Sequence, residues 1–292
     1  MKPPCFEYVA PRQLTEALHA MRQYGDDAKP LAGGQSLGPL LNLRLASPGV
    51  LVDLGRVSAL AEDPIVDTAG VYVPAMVTQR RVETNPWIAR TCPLLPEAIG
   101  NVAHRTIRNR GTVCGSITHA DPAAELTAVA VATGATCHVS GPNGDRKIDA
   151  RDFLQGFFTT DLESDELLVG VRFPALGPLT GSAWEEFAPR KGDYALVGVG
   201  AVVQLDPRGA VAKMSLAYSG IADRPYRADE IDRLLIGRQL DADGRRATAE
   251  LASTLCSPGD DAAGPAKYRR QLVRVLTERA LLTAKQRAEE VR

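Results

Sequence analysis

Five cysteines are all that this 292-residue chain carries, and Cys5, Cys92, Cys114, Cys137 and Cys256 lie far apart, odd in number, with no CxxC spacing. Such a set builds no disulfide framework, iron–sulfur cluster or structural zinc site. The four histidines, His19, His104, His119 and His138, are as scattered, and each reads as an ordinary polar residue rather than a metal ligand. Charge of one sign is missing too. Thirty-four Lys and Arg against 35 Asp and Glu leave a net charge of -1, which creates no field to gather nucleic acid or an anionic membrane. No apolar run reaches the ~18 residues of a membrane span, and the start "MKPPCFEYVA" lacks the apolar core of a signal peptide. A cytoplasmic protein without a transmembrane segment is expected.

What is present begins with length: 292 residues exceed one average domain and favour two cores. Residues 11–24 place Leu14, Leu18 and Met21 on one helical face, with Gly25 as the stop. A short apolar run ending at Leu31, the loop "AGGQS", a short helix in "LGPLLNLRL" and a strand in "GVLVDL" then read as a βαβ-like unit. In the next block, about 60–175, helices are expected over 93–105 and after Asp121, the latter with Asp121 as N-cap, Pro122 at its first position and Gly134 past its end. "LLVGVRFP" alternates Leu167, Val169, Val171 and Phe173 as a half-buried strand. From about residue 177, "ALVGVGAVVQL", the turn "DPRGA" and "VAKMSLAYSG" predict a β-hairpin. Three helical segments follow, the last with Tyr268, Leu272, Val275, Leu276 and Leu282 expected in the core.

Two loops carry the candidate chemistry. In "LAGGQSLG", Gly33 and Gly34 free the backbone N–H groups of side-chain obstruction, and Gln35 and Ser36 add donors ahead of a helix. That combination suits a pyrophosphate, although a simple turn has the same composition. It is neither GxGxxG nor GxxxxGK[ST]. The second stretch, "RTIRNRGTVCGSITHADPAAEL", passes an arginine-bearing approach into a Thr/Gly/Ser loop, then His119, Asp121 and Glu125. Two anion-cradling loops some 80 residues apart suggest one long, bent ligand held from both sides, and diphosphate-bridged FAD has that shape.

Taken together, "LAGGQSLGPLLNLRL" and "IRNRGTVCGSITHADPAAEL" resemble the FAD-binding medium subunit of molybdenum hydroxylases, the carbon monoxide dehydrogenase and xanthine dehydrogenase family. Similar phrases continue through "FFTTDLESDELLVGVRFP", "EFAPRKGDYALVGVGA" and "YRRQLVRVLTERAL". The resemblance implies an α+β chain: a two-part FAD-binding domain of the vanillyl-alcohol-oxidase (PCMH) type at 1–176, with subdomains of about 1–57 and 58–176, and an α+β C-terminal domain at 177–292. Carried over by position, Ala32, Gly33, Gly34, Gln35 and Ser36, flanked by Leu31 and Leu37, would wrap the flavin diphosphate. Thr112, Val113, Cys114, Gly115 and Ser116 would form the second clamp. His119, Asp121 and Glu125 fall in the segment of polar contacts, Leu168 matches an apolar contact, and Lys191 and Tyr194 match the stretch bordering the isoalloxazine.

In the resembling family the second loop usually reads Thr-x-Gly-Gly, so Cys114 replaces the first glycine. If that position needs φ > 0, the cost is on the order of 1 kcal/mol. A cysteine beside the flavin also raises a covalent thioether as an alternative to a small packed residue. Ser116, His119 and Asp121 crowd one loop and lack a GxSxG elbow, which argues against a hydrolase triad. His119, Asp121 and Glu125 lack a fourth metal ligand. Arg105, Arg108 and Arg110 read equally as a solvated face, a docking surface or phosphate contacts. The resemblance further implies a non-covalent FAD, no metal and no catalytic acid or base on this chain, with [2Fe-2S] clusters and the molybdopterin cofactor on a small and a large partner subunit. Electrons would pass from the [2Fe-2S] subunit through FAD to an external acceptor, in a dimer of heterotrimers. A free-standing FAD oxidase and a flavin-free scaffold subunit are the alternatives.

Overall fold

The computed structural model describes residues 1–290, Val291 and Arg292 lying outside the described part. The chain opens with the strand Glu7–Val9 and the helix Leu14–Tyr24. Glu16 reaches back to accept the Arg12 and Gln13 N–H groups at 2.8 and 3.2 Å, which satisfies donors that a helix start leaves free. Ala17, Ala20 and Met21 bury one face, and Gly25 ends the helix at φ 52°. The strands Ala28–Leu31 and Val50–Asp53 follow, separated by the helix Leu37–Asn42, and pair in parallel as expected of a βαβ unit. Glu7–Val9, which carries too short an apolar pattern to read as a strand in sequence, joins the free edge of Val50–Asp53.

A five-stranded antiparallel sheet follows, in the order Ile65–Asp67, Gly70–Pro74, Leu167–Pro174, Thr136–Gly141 and Gly144–Asp149. Its central strand is the expected one, but pairing with Thr136–Gly141 shifts between Leu168 and Gly170. Such a bulge breaks strict alternation, and Leu167 and Leu168 are both buried.

Two expected helices come out differently. The segment 93–105 is helical only over Leu94–Ile99; Ala103 then takes φ 42° and helix resumes at Arg105–Arg108. Arg108 accounts for the break, because its Nη1 donates to the carbonyls of Val102 and Ala103 at 2.9 and 3.2 Å, carbonyls that a continuous helix would use itself. Asp121 does not cap the next helix. Its Oδ1 accepts the Ala123 N–H at 2.9 Å in a local turn, so the helix starts later, over Glu125–Thr133 with Ala124 at its N-cap, and Pro122 stays in the turn. Gly134 does end it, at φ 68°.

The third sheet is an antiparallel meander of Thr180–Phe187, Val197–Leu205 and Val211–Ser219. Asp206 shapes the expected hairpin turn by accepting the Arg208 and Ala210 N–H groups. The helices Asp229–Arg233, Ala242–Leu255 and Ala266–Glu290 complete the chain. The last one packs on the sheet so closely that a Cβ on Gly181 would overlap the Ala284 carbonyl oxygen. Its buried stripe is Leu272, Val273, Leu276, Ala280, Leu281, Ala284 and Ala288, whereas Tyr268 and Leu282, expected inside, are exposed. The stripe follows the small residues that allow that close approach, which a search for large apolar side chains passes over.

Glu125–Thr133 is the element that ties the halves together, with every residue from Glu125 to Ala132 buried. Its Ala132 meets Gly200 on the far face of the meander, and a helix hydrophobic on all sides requires such burial. Arg287 adds a second tie, donating to both Glu97 carboxylate oxygens and to the Ser182 carbonyl.

Candidate functional site

The two glycine-bearing loops meet. A Cβ on Gly33 would overlap the Arg110 carbonyl oxygen and lie 2.8 Å from its carbon and 2.9 Å from Gly111 Cα, so only glycine lets these backbones touch. Gly34 turns the first loop with φ 71°, and Gln35 folds its amide back to donate to the Gly33 carbonyl at 3.0 Å. Ser36 precedes the helix Leu37–Asn42 without spending its hydroxyl on a cap. Leu31 to Leu37 are all half-buried.

The second stretch is helix rather than loop from Val113 onward. Thr112 caps Val113–His119 by accepting the Gly115 N–H at 3.0 Å. A Cβ on Gly115 would come within 2.6 Å of that threonine oxygen, which fixes glycine here for a local reason. Gly115, Ser116, Thr118 and His119 are partly open, whereas Val113, Cys114, Ile117 and Ala120 are buried. Gly115 and Ala32 approach across the junction, 3.8 Å from a notional Gly115 Cβ to the Ala32 Cβ. Behind the loop, the Gln79 N–H donates to the Gly111 carbonyl at 2.8 Å and the Val113 N–H to that of Val77 at 3.3 Å.

This geometry decides between the two readings of Cys114 in favour of a small packed residue. The residue is helical, absent from the positive-φ positions, so no left-handed penalty applies. Its side chain is 2% exposed, and its Sγ lies 3.5 Å from the Val73 carbonyl oxygen. Burial pushes the thiol well above its ordinary pKa, which removes the nucleophile that a thioether would need.

Past the helix, Ala120 takes φ 52° and turns the chain toward a polar corner. His119 packs its ring 5.0 Å from that of Phe158, and burial lowers its pKa. Glu125 is 6% exposed, and burial first, then the charges of Glu186 and Asp121, push its carboxyl up to about 8. Tyr194 keeps 64% of its surface open, yet its pKa is raised by desolvation of the hydroxyl and then by Asp121 and Glu125. The structure thus brings Asp121, Glu125 and Tyr194 together. Lys191 is exposed on the same loop, which leans on His104 at Gly192. Leu168 is 5% exposed and its side chain lies in the core.

Two features were missed in sequence. Arg108 is 9% exposed and grips both carboxylate oxygens of Glu83 at 3.0 and 3.1 Å, so it is a structural anchor, while Arg105 and Arg110 are exposed. The half-buried Glu186, held by the Trp184 indole N–H at 2.8 Å, adds a second carboxyl whose charge acts on Glu125. Only the charged residue types signalled either one.

Known proteins bear directly on this arrangement. Residues 4–176 match the FAD binding domain in molybdopterin dehydrogenase, and residues 182–284 match the CO dehydrogenase flavoprotein C-terminal domain. The chain is 38% identical over 288 residues, 99% of its length and 97% of the relative's, to the 6-hydroxypseudooxynicotine dehydrogenase complex subunit alpha of Paenarthrobacter nicotinovorans. A solved structure of carbon monoxide dehydrogenase from Hydrogenophaga pseudoflava, lacking the Mo-pyranopterin moiety of its cofactor, superimposes with a TM-score of 0.95 at 35% identity, over 98% of this chain and 99% of that one. Quinoline 2-oxidoreductase from Pseudomonas putida 86 gives a TM-score of 0.92 at 38% identity, over 99% of each chain. The α+β fold, with an FAD-binding part followed by a C-terminal part, is the one the sequence resemblance implied, and these relatives are oxidoreductase subunits. The chain belongs to the family of FAD-binding medium subunits of the molybdenum hydroxylases.

Proposed function

We propose that this chain binds one FAD non-covalently between the two converging loops, takes electrons from a [2Fe-2S] subunit and passes them to an external acceptor. The observation that carries the reading is the backbone contact of Gly33 with Arg110 and Gly111, which joins two loops of the FAD-binding match into one cradle. When bound, the flavin supplies the redox chemistry, accepting electrons one at a time and holding two. The chain's own residues bind and orient. Leu31, Ala32, Gly33, Gly34, Gln35, Ser36 and Leu37 offer backbone amides and two side-chain donors on one side. Gly115 and Ser116 face them, with Thr112 capping their helix and Val113 and Cys114 anchoring the turn from behind. His119, Asp121, Glu125, Lys191 and Tyr194 line the polar corner, and Leu168 supports it from the core.

The boundaries proposed are 1–176 for the FAD-binding domain, divided near 57, and 177–292 for the C-terminal domain. Partners are a large molybdopterin subunit and a small [2Fe-2S] subunit in a dimer of heterotrimers, supported by relatives that are themselves complex subunits. A cytoplasmic site is part of the same reading; among the described residues no helix is long and apolar enough to cross a membrane.

The test is flavin release. The purified chain loaded with FAD should bind one equivalent, and acid precipitation should free all the yellow colour. Cys114→Ser should keep the full flavin content. A colour retained on the pellet, or no uptake of FAD, would overturn the reading.

A further inference from the structure

We infer that Arg269, on the helix Ala266–Glu290, is a positioning residue for the flavin: its guanidinium fixes the base of the loop that carries Lys191 and Tyr194, and with it the place of Tyr194 beside the bound cofactor. The inference rests on the proposed FAD site and extends it to a residue outside both glycine-bearing loops. The segment 188–195 leaves the strand Thr180–Phe187 and rejoins the sheet at Val197, after Leu196. From Phe187 to Tyr194 every residue is exposed or half-buried, so side-chain burial does not fix this loop. Its backbone is anchored instead. The Leu196 N–H donates to the Phe187 carbonyl at 2.9 Å and closes the loop, and Gly192 rests on Ala103 and His104 at the far end. Among the described residues, Arg269 is the one side chain that donates to the backbone of this segment, from Nη1 to the Leu196 carbonyl.

The guanidinium is 5% exposed and stands where three parts of the chain meet. Nη1 also donates to the Gly220 carbonyl at 2.8 Å, and Nη2 donates to the two Asp261 carboxylate oxygens at 2.8 and 2.7 Å. Gly220, at φ 79°, lies against the same loop base: a Cβ there would come within 2.5 Å of the Leu196 carbonyl oxygen and 3.0 Å of that of Ala195. Only glycine allows that approach. The Gly220 N–H then crosses to the FAD-binding half and donates to the Pro122 carbonyl at 2.8 Å, one residue beyond Asp121. Through these bonds one side chain joins the Tyr194 loop, the strand end at Gly220 and the turn that carries Asp121. Tyr268 packs the start of the helix onto the same base, its ring meeting that of Phe187 edge-on at 5.9 Å. The chemistry of arginine suits the task. Its rigid fork of N–H donors serves two carbonyls and a carboxylate together, whereas a lysine presents all its donors from one atom. Lysine at this position would keep the charge facing Asp261 and release the Leu196 carbonyl, two residues from Tyr194.

Two readouts on the full chain test this role. Without FAD, trypsin should nick Arg269→Lys at Arg190 and Lys191 at least about tenfold faster than the native chain, because the loop opens more easily, with cleavage elsewhere unchanged. With FAD, followed by quenching of flavin fluorescence, Arg269→Lys should bind about tenfold more weakly, as should Tyr194→Ala, and the double variant should lie within about twofold of either, the non-additivity of residues that act as one unit. Asp261→Asn gives the same test in milder form, since that carboxylate is largely open to solvent and only steadies the guanidinium; it replaces Arg269→Lys if circular dichroism shows that variant unfolded. Native nicking rates in a folded variant would overturn the proposal. So would native FAD affinity in Arg269→Lys or Tyr194→Ala, or losses that add in full in the double variant, which would mark Arg269 as a purely structural residue. Failure of the native chain to bind FAD would instead remove the site on which the proposal rests, and the nicking comparison would still report on the loop.

Discussion

Gly33→Val is expected to abolish FAD retention, weakening binding by at least about a hundredfold, or about 2.7 kcal/mol, in a chain that still folds. The valine Cβ would have to occupy the space of the Arg110 carbonyl and press on Gly111 Cα. These are backbone atoms, so relief requires one loop to move rather than a side chain to rotate. Gly33, Arg110 and Gly111 themselves belong to neither hydrophobic core, although Val113 and Cys114 just beyond them do, so the damage falls first on the loops. Gly34 is the instructive contrast: a Cβ there meets only Leu31 Cδ1, at 3.3 Å, and the cost comes from φ 71°. Gly34→Ala should therefore cost on the order of 1 kcal/mol and leave a measurable FAD affinity. Equal flavin contents in native and Gly33→Val chains, read from the visible spectrum after gel filtration, would refute the cradle.

Arg108→Met should be the most destabilising single change near the site, by roughly 3 kcal/mol at neutral pH, the lower end of the range for breaking a buried pair. Burial alone would raise the Glu83 carboxyl, but hydrogen bonds from Arg108 and Arg80 overcome that and hold it below its ordinary pKa. Methionine leaves Glu83 with Arg80 alone, at 3.0 Å, and strips the Val102 and Ala103 carbonyls of their donor. Because the folded pKa of Glu83 is depressed, the pair's contribution is present above the unfolded carboxylate pKa and is lost as pH falls through the folded value. The gap between native and Arg108→Met stabilities should accordingly narrow below about pH 4.3. Urea unfolding at pH 7 and pH 4 measures it, and equal midpoints at pH 7 would show that Arg108 is not the anchor.

How much of this was legible in the sequence depends on how local each signal is. The parallel pair Ala28–Leu31 and Val50–Asp53 could be read because each strand carries its own apolar run and the intervening helix its own pattern. The hairpin around Asp206 to Gly209 could be read because the turn residues hold their own backbone. The helix break at Ala103 could not, since its cause is a guanidinium whose partner, Glu83, lies 25 positions earlier. Cys114 was misplaced for the opposite reason. A Thr/Gly/Ser composition suggests an open loop, while the Thr112 cap and the core behind Val73 make it the first turn of a helix. In the site, the two loops were visible as glycine clusters, but their contact at Gly33 and Arg110 is tertiary. Glu186 escaped notice because nothing in "SAWEEFAP" announces that one of its two glutamates turns toward Glu125.

On the proposed function, this chain relays electrons and does not itself oxidise an organic substrate. Anaerobic stopped-flow absorbance of the FAD-loaded chain tests it most directly. Dithionite should bleach the flavin at once, whereas a candidate heterocycle, an aldehyde or carbon monoxide should leave the spectrum unchanged until the molybdopterin and [2Fe-2S] subunits are added. Bleaching by any of these substrates with the chain alone would contradict the account and make the protein a free-standing oxidase.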